Sequence, residues 1–213
     1  MVDETEQPIS HRIVWDRNRE LTNLTPEDDQ VEYPRMCRAG DEKIILTYHG
    51  GQSDHWQNTY LRKSYDNGTT WSDRVTIYKK GEEFLGSNYW RICNPEMTRL
   101  QNGWIILSVV ANGNPETNEN CKVLVCLSKD DGETWGDPIV VGRGRTWEPM
   151  EVQLPNGELE LFVSSEASWW NGEGADLQEI VTARSSDNGQ TWTSFRRASF
   201  KSGARDGMPV GGW

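Results

Sequence analysis

Several classes of protein are excluded by what this sequence lacks. No apolar run approaches the roughly 18 residues that a membrane-spanning helix needs. Lys and Arg number 22 against 33 Asp and Glu, and the formal net charge of −11 argues against binding to nucleic acid or to an anionic membrane surface. The opening residues, Met1 to Glu6, contain neither the basic stretch nor the apolar core of a signal peptide. We therefore expect no nucleic-acid partner and no membrane insertion.

Cysteine is scarce, and its spacing does not suggest a metal site. Cys37, Cys93, Cys121 and Cys126 lack paired Cys-x-x-Cys spacing. We interpret them as buried free thiols in strands, and we expect no metal and no cofactor.

Helical periodicity is also absent, whereas 11 tryptophans and 20 glycines are present. That mixture is typical of many short strands joined by tight turns, with large aromatic rings filling the gaps.

One motif, S-x-D-x-G-x-T-W, occurs three times. Its copies are Ser64–Trp71, Ser128–Trp135 and Ser185–Trp192. The Ser and Asp side chains can hydrogen-bond nearby backbone amides, and the Gly supplies a positive φ. The closing Thr and Trp suit the start of a strand. The motif therefore predicts a hairpin turn followed by an anchoring tryptophan.

A second repeat lies upstream of each motif. Pro34, Pro95 and Pro149 each stand in a short segment that leads through a turn of Gly, Asp or Asn into an apolar strand. Each unit of about 60 residues then reads as four strands, and four strands at this period are typical of a propeller blade. Pro209 follows Pro149 by 60 residues, which indicates the opening of a further unit.

These units divide the chain into parts of one partial propeller domain. The predicted parts are an N-terminal segment at 1–30, blade 1 at about 31–78, blade 2 at about 90–142, blade 3 at about 147–200 and the start of blade 4 at 204–213. The N-terminal segment is a candidate for a ring-closing strand.

The S-x-D-x-G-x-T-W motif resembles the Asp-box, or bacterial neuraminidase repeat, of sialidases and related propellers. The resemblance covers about residues 31–208 and implies an all-β fold, a β-propeller of four-stranded antiparallel blades with a six-bladed parent. This chain would cover about three blades and the start of a fourth. We expect a fragment whose ring is closed by the remaining blades or by a second copy of the chain. In those families the Asp-box turns face away from the substrate, so the resemblance implies that the motif aspartates are structural.

Aligning the units on their prolines gives candidate site residues. The residues before and after the prolines are Tyr33 and Arg35, Asn94 and Glu96, and Glu148 and Met150. Residues two apart in a strand share a face, so we expect three pairs of side chains to point at the central axis. A core strand normally repeats apolar residues, whereas these vary among charged, polar and aromatic types, as a binding site would. A salt-bridged structural cluster is the alternative for Arg35, Glu96 and Glu148.

Part of this site matches the sialidases. The resemblance implies that Arg35 grips a substrate carboxylate and that Asp54, in the loop before the first Asp-box, is the acid/base. It also implies that Glu148 is the catalytic glutamate of a later inner strand. The second sialidase arginine, expected near Ser164, is missing, which argues against sialic acid.

Other features are similar to those of the exo-α-arabinanases, which share the six-bladed fold and use two carboxylates. They are the Trp147-Glu-Pro opening, the Leu154-Pro-Asn-Gly turn, the Ser-Ser-Glu166 ending and the run from Arg205 to Met208. This resemblance implies that Glu148 is one catalytic carboxylate and that its partner follows Trp213. The remaining substrate-binding candidates are Trp147, Arg205 and Asp206, with Glu96 and Glu151, whose like charge would raise the pKa of a catalytic acid.

The expected function is an exo-acting glycoside hydrolase that removes terminal sugars from glycans or plant polysaccharide, with an arabinan-type substrate favoured over a sialoside. A second hypothesis is a non-catalytic carbohydrate-binding or protein-interaction propeller, since Asp-boxes also occur in proteins that are not enzymes. The charged residues at the starts of the inner strands favour the enzyme. The expected location is secreted or periplasmic.

Overall fold

The computed structural model describes residues 30–51, 58–78, 83–84, 87–167 and 178–210. Within these ranges the chain forms 13 strands, which we number β1 to β13, in three antiparallel sheets. No helix in this part of the chain is both long enough and apolar enough to cross a membrane.

Sheets 1 and 3 have the same four-stranded order. Sheet 1 contains β1 Gln30–Arg38, β2 Ile44–Gly51, β3 Asn58–Ser64 and β4 Val75–Tyr78. Sheet 3 contains β10 Thr146–Gln153, β11 Leu159–Ser165, β12 Glu179–Ser185 and β13 Arg196–Ser199. Each strand pairs antiparallel with the next one along the chain, which is the connectivity that the sequence predicts for a propeller blade.

Sheet 2 has one strand more than the sequence predicts. Its main strands are β6 Ser87–Arg99, β7 Ile105–Gly113, β8 Lys122–Ser128 and β9 Ile139–Arg143. The additional strand, β5 Glu83–Phe84, pairs with the first residues of β6. β6 begins before residue 90, where the sequence predicts the blade to start.

The innermost strands of the three sheets are neighbours. β6 contacts β1 on one side and β10 on the other, so the sheets follow one another around a shared axis. The chain therefore forms three consecutive blades of a β-propeller, as the sequence predicts. After β13, Arg205 forms an isolated parallel bridge with Gln178, the residue before β12.

Two apolar clusters hold the sheets together. The first cluster packs sheet 1 on sheet 2 and includes Ile45, Leu61, Ile105, Leu107 and Leu124. The second packs sheet 2 on sheet 3 and includes Ile106, Val123, Leu161, Val163 and Val181. Because β7 lies between both neighbours, every one of its residues is buried, and apolar residues stand on both of its faces. All four cysteines are buried and free, as predicted.

The three S-x-D-x-G-x-T-W turns share one set of hydrogen bonds. In the first, the Ser64 hydroxyl donates to Asp66 Oδ1 at 2.8 Å and accepts the Gly68 N–H at 2.7 Å. Asp66 also accepts the N–H of Thr70 at 2.8 Å and its hydroxyl at 2.7 Å. These donors lower the pKa of Asp66 to about 2. The same bonds recur in the other two copies, so each aspartate is occupied in holding its own turn.

The second of these turns also joins sheet 2 to sheet 1. The carboxylate of Glu133 forms ion pairs with Lys43 and, at 2.7 Å, with Lys63. Its Oε1 accepts a hydrogen bond from the Tyr65 hydroxyl at 3.0 Å. The two ammonium groups lower the pKa of Glu133 to about 2, so this contact between blades carries its charges throughout the neutral range.

Candidate active site

The residue before each blade proline has a left-handed backbone. The φ angles are 60° at Tyr33, 50° at Asn94 and 56° at Glu148, and Met208, before Pro209, has 52°. A residue before proline ordinarily prefers extended backbone, and a non-glycine residue with positive φ is strained. The pairing register shifts at the same points, between residues 32 and 35, 93 and 96, and 147 and 150. Each inner strand therefore has a bulge at its proline.

These bulges change the predicted arrangement of side chains. The expectation that residues before and after each proline share a face assumed regular alternation, which a bulge interrupts. Of the six predicted residues, Asn94 does not line the central cavity. The other five do, so both flanking positions line the cavity in blades 1 and 3 although all three inner strands have the bulge. The cavity has a volume of about 390 Å³, and the residues lining it are Tyr33, Arg35, Glu96, Thr98, Glu148, Pro149, Met150, Glu151, Met208, Pro209 and Val210.

Arg35 and Glu96 form an ion pair inside this cavity. Arg35 Nε lies 2.6 Å from Glu96 Oε2, and the two side chains are 32% and 19% exposed. The guanidinium also lies 4.0 Å from the centre of the Tyr33 ring, a cation–π contact. Burial raises the pKa of Tyr33 to about 12, so the phenol is uncharged. Arg35 is thus held from two sides, by a carboxylate and by an aromatic face.

Glu148 is held from the other side of the cavity. Its Oε2 accepts a hydrogen bond from the Ser164 hydroxyl at 3.2 Å and another from the Met208 N–H at 2.8 Å. Its Oε1 has no hydrogen bond to any residue in the described ranges. Ser164 is fully buried, so it fixes the orientation of the carboxylate while leaving one oxygen available to a ligand.

Glu151 lies three residues after Glu148 on β10 and lines the same cavity. Its side chain is 3% exposed, and burial raises its pKa to about 8, with the charge of Glu96 contributing in the same direction. At neutral pH the group is therefore mainly uncharged. Four predicted site residues, Arg35, Glu96, Glu148 and Glu151, are brought together here.

The structure does not bring three other predicted residues to this cavity. Trp147 packs against the second apolar cluster, with the guanidinium groups of Arg91 and Arg145 each 5.1 Å from its ring. Arg205 pairs with the buried carboxylate of Glu166. Asp206 accepts a hydrogen bond from the Ser199 hydroxyl at 3.1 Å. The predicted acid/base, Asp54, lies outside the described residues.

Two residues of the site were missed by reasoning from the sequence. The sequence identifies Ser164 only as the place of an absent arginine. His49, on β2, accepts the Asn94 N–H at Nδ1 with a distance of 3.2 Å and stacks on Tyr33 with ring centres 5.9 Å apart. Burial lowers the pKa of His49, which keeps the imidazole neutral and able to accept. Counting regular strand register from the Asn156-Gly157 turn would have put Ser164 opposite Glu148, and the bulge moves the observed pairing by one residue to Trp147.

No group of three or more His, Cys, Asp or Glu side chains in the described ranges has the arrangement of a metal site. The chemistry available in the cavity is that of carboxyl groups: one ion-paired in Glu96, one uncharged in Glu151, and one partly open in Glu148.

Comparison with known proteins adds a family and a fold. The sequence model of a BNR repeat-containing family matches residues 3–155. No curated protein matches the chain.

Several solved structures share the fold. The α-L-arabinofuranosidase of Fusarium graminearum, in complex with an iminosugar inhibitor, has a TM-score of 0.66 at 21% identity over 85% of this chain and 52% of its own. The α-L-arabinanase of Penicillium chrysogenum, in complex with arabinobiose, has a TM-score of 0.60 at 18% identity, and the match covers 80% of this chain and 50% of that one. A Hadza microbial sialidase has a TM-score of 0.63 at 16% identity, and the match covers 81% of this chain and 38% of the sialidase. At these identities the likeness establishes the propeller fold alone, and this chain spans about half or less of each structure.

Proposed function

The chain belongs to the BNR repeat-containing family, and on that basis we propose that it contributes three blades of an exo-acting glycoside hydrolase with an arabinan-type substrate. Family membership and fold are compatible with many activities, so the argument depends on the cavity. The relevant feature is a set of convergent carboxyl groups at the starts of neighbouring inner strands. Glycosidic bonds are hydrolysed by a pair of such groups.

The observation that carries the proposal is the setting of Glu148. Its Oε2 is fixed by Ser164 and by the Met208 N–H, at 3.2 and 2.8 Å. Its backbone is strained at φ 56°, and strained residues of this kind concentrate at active sites. A carboxylate that is oriented by two donors on one oxygen can present the other oxygen to a sugar carbon or to a glycosidic oxygen. We assign Glu148 as one of the two catalytic carboxyl groups.

The second catalytic carboxyl group is Asp54 or a residue of a later blade. The two groups protonate the leaving oxygen and attack or stabilise the sugar carbon, and their separation decides the outcome. A retaining enzyme holds them about 5 Å apart, and an inverting enzyme about 6.5–9.5 Å. Arg35, Glu96 and Glu151 would then contact the terminal sugar. Trp147, Arg205 and Asp206 stay proposed contacts for sugar units farther from the cleaved bond.

The charge of the cavity favours a neutral sugar over a sialoside. Arg35 already pairs with Glu96 at 2.6 Å, so a substrate carboxylate would have to compete with Glu96 for the guanidinium. Ser164 occupies the place at which a second arginine was expected and hydrogen-bonds to Glu148 instead. Three carboxyl groups face one guanidinium here. A sugar that offers only hydroxyl groups can be bound by these acceptors without introducing another negative charge.

The test is Glu148→Gln in the full-length protein, assayed on an aryl α-L-arabinofuranoside, on arabinan and on an aryl sialoside. We expect wild-type turnover of the arabinosides and loss of about 10³-fold or more in the variant, since the substitution removes a group that reacts. Glu158→Gln is the matched control, because Glu158 lies at the turn of the same β10–β11 hairpin and its carboxylate accepts a hydrogen bond from the Asn156 side chain. Undiminished turnover by Glu148→Gln would remove Glu148 from the mechanism.

The alanine variant of Glu148 separates its two possible roles. If Glu148 is the nucleophile of a retaining enzyme, azide should restore turnover by Glu148→Ala and give an azido sugar of inverted configuration. If it is the acid, azide should accelerate only the substrates with good leaving groups and give an azido sugar of retained configuration.

A second candidate function is a non-catalytic carbohydrate-binding propeller. The ion pair between Arg35 and Glu96 favours it, because groups that neutralise one another also serve as a structural cluster. Retained binding of arabino-oligosaccharides by calorimetry, with no turnover of any of the three substrates, would support this candidate.

A polysaccharide substrate further implies a secreted or periplasmic location, because such polymers do not enter the cytoplasm. The propeller ring would be completed by further blades or by a second copy of the chain. Light scattering of the full-length protein measures its molar mass and distinguishes these arrangements. A monomer would mean that further blades of the same chain complete the ring.

A further inference from the structure

An arginine stands four residues before the proline in three successive units. The segments are Arg91–Pro95, Arg145–Pro149 and Arg205–Pro209. The residue just before each of these prolines has a left-handed backbone, and in the last two segments it is Glu148 and Met208. These two residues are joined, since the Met208 N–H donates to Glu148 Oε2 at 2.8 Å. The hydrogen bond that orients the proposed catalytic group therefore connects two copies of the same R-x-x-x-P segment.

A single carboxylate, that of Glu166, pairs with the arginines of both segments. Its Oε2 lies 2.7 Å from Nε of Arg145, and its Oε1 pairs with the guanidinium of Arg205. The Glu166 side chain is 7% exposed, so both ion pairs are largely shielded from water. One buried carboxylate thus offers one oxygen to each arginine.

The acid at this position distinguishes blade 3 from the other two blades. Glu166 follows the last residue of β11, and its backbone N–H donates to the carbonyl of Arg145 at 2.8 Å. Strand register assigns the corresponding positions to Asn112 in blade 2 and to Gly51 in blade 1. Among the three described blades, only the one that contains Glu148 therefore has a carboxylate here.

The segment that carries the Met208 N–H is held mainly by polar contacts. Arg205 bridges to Gln178, and the N–H of Asp206 donates to the Gln178 carbonyl at 3.0 Å. Met208 is 62% exposed, so its side chain contributes little apolar packing. The position of its N–H consequently depends on these hydrogen bonds and on the ion pair between Arg205 and Glu166.

We propose that Glu166 is a positioning residue that joins Arg145 to Arg205. By holding Arg205, it sets the Met208 N–H against the Glu148 carboxylate. The role in catalysis rests on the proposed function, whereas the anchoring of the segment does not. Because the anchored donor keeps Glu148 in one orientation, loss of the anchor should slow the chemical step more than it weakens substrate binding. A guanidinium has five N–H groups, so the ion pair is compatible with the sugar contact proposed for Arg205.

The first experiment follows the segment itself without any assay of activity. Hydrogen exchange of the full-length protein is measured by mass spectrometry on the peptide of residues 204–210, with a peptide of β7 as internal reference. We expect Glu166→Gln to speed exchange of the 204–210 peptide by about tenfold or more and to leave β7 unchanged. Glu116→Gln is the matched control, because it removes the carboxylate 2.8 Å from Nη1 of Arg145 and leaves the Arg205 pair in place. Parent-like exchange of this peptide in Glu166→Gln would overturn the proposal, whether or not the protein is an enzyme.

A second variant decides the matter if Glu166→Gln also speeds exchange in β7 and so fails to fold. Arg205→Met removes the same ion pair from its more exposed side and leaves Glu166 paired with Arg145. We expect faster exchange in the 204–210 peptide alone. Arg205→Lys keeps the charge and should restore most of the protection. Equal protection in Arg205→Met and in the parent would contradict the anchoring role.

The second experiment measures turnover of an aryl α-L-arabinofuranoside. We expect Glu166→Gln and Arg205→Met to lower kcat by about 10- to 100-fold with little change in KM. Arg205→Lys and the control Glu116→Gln should retain most of kcat. A higher KM with unchanged kcat would assign the pair to substrate binding and overturn the positioning role. Absence of turnover in the parent would refute the proposed function and leave the exchange result to decide this inference.

Discussion

Adding one methyl group to the second Asp-box turn should separate the packing between blades from the strain within the turn. Gly132 has φ 77° and Gly68 has φ 85°, and each occupies the same position in its motif. A Cβ on Gly132 would lie 2.1 Å from Cδ1 of Ile45 in sheet 1, whereas a Cβ on Gly68 would lie no closer than 3.7 Å, to Trp71. The two glycines therefore differ in their contacts and hardly at all in backbone conformation.

The magnitudes follow from that difference. Placing alanine in a left-handed backbone costs about 1–2 kcal/mol at either position. Ile45 is fully buried, so displacing it adds about 1–3 kcal/mol at Gly132 alone. We expect Gly68→Ala to lower the free energy of unfolding by about 1–2 kcal/mol and Gly132→Ala to lower it by about 2–5 kcal/mol. Urea unfolding followed by tryptophan fluorescence measures both.

A second substitution identifies the contact. Ile45→Val removes Cδ1, the atom that the new methyl group meets, and alone should cost about 0.5–1.5 kcal/mol. In the Gly132→Ala background it should cost nothing or restore stability. Two results would refute the packing of this turn against sheet 1. One is an equal loss of unfolding free energy in the two glycine variants, and the other is an Ile45→Val cost that is the same in the parent and in the Gly132→Ala background.

Three further predictions concern charge and hydrogen bonding. Because burial raises the folded-state pKa of Glu151 to about 8 from an ordinary 4.5, its contribution to stability is complete below pH 4.5 and is lost as the pH rises to about 8. At about 1.4 kcal/mol for each pH unit the loss is at most about 5 kcal/mol, and urea unfolding at stepped pH should give a flatter profile for Glu151→Gln than for the parent. Glu133→Gln should cost less than about 1 kcal/mol, because the Glu133 side chain is 46% exposed, and the difference should vanish in urea unfolding at high salt. Ser164→Ala should lower kcat on an aryl arabinoside by about tenfold while KM changes little, since Glu148 keeps the Met208 N–H as its other donor; an unchanged kcat would contradict the orienting role of Ser164.

The blade repeat could be predicted from the sequence because its determinants are local. In each Asp-box the Ser, Asp, Gly and Thr that make the turn lie within seven residues, and their hydrogen bonds close within the motif itself. The Asn102-Gly103 and Asn156-Gly157 hairpins are equally local, with φ of 87° and 89° at their glycines. Alternation then assigns the strands between these turns.

The site was harder to predict because it depends on an exception to a local rule. A residue before proline favours extended backbone, so nothing in the sequence around Asn94 suggests its φ of 50°. The rule of alternation accordingly puts Asn94 on the same face as Glu96, whereas only Glu96 lines the cavity. Glu151 is expected from the sequence among the residues of the ring, but its burial to 3% exposure follows from the packing of sheet 3 on sheet 2.

Two of the strained backbones, at Asn94 and Met208, are supported by hydrogen bonds from the preceding unit. His49 pairs with Glu32, two residues before its blade proline, and accepts the N–H of Asn94 in the next blade. Ser164 pairs with Trp147, at the same position of blade 3, and accepts the N–H of Met208 in the next unit at 3.1 Å. In blade 2 the corresponding residue is Val110, which pairs with Cys93. Its side chain has no acceptor for the backbone N–H of Glu148. The support is thus a property of the repeat that can be present or absent in a given blade. The same two residues also contact side chains beside the prolines, since His49 stacks on Tyr33 and Ser164 donates to Glu148, and the positions beside the prolines are those at which the three blades differ in charge.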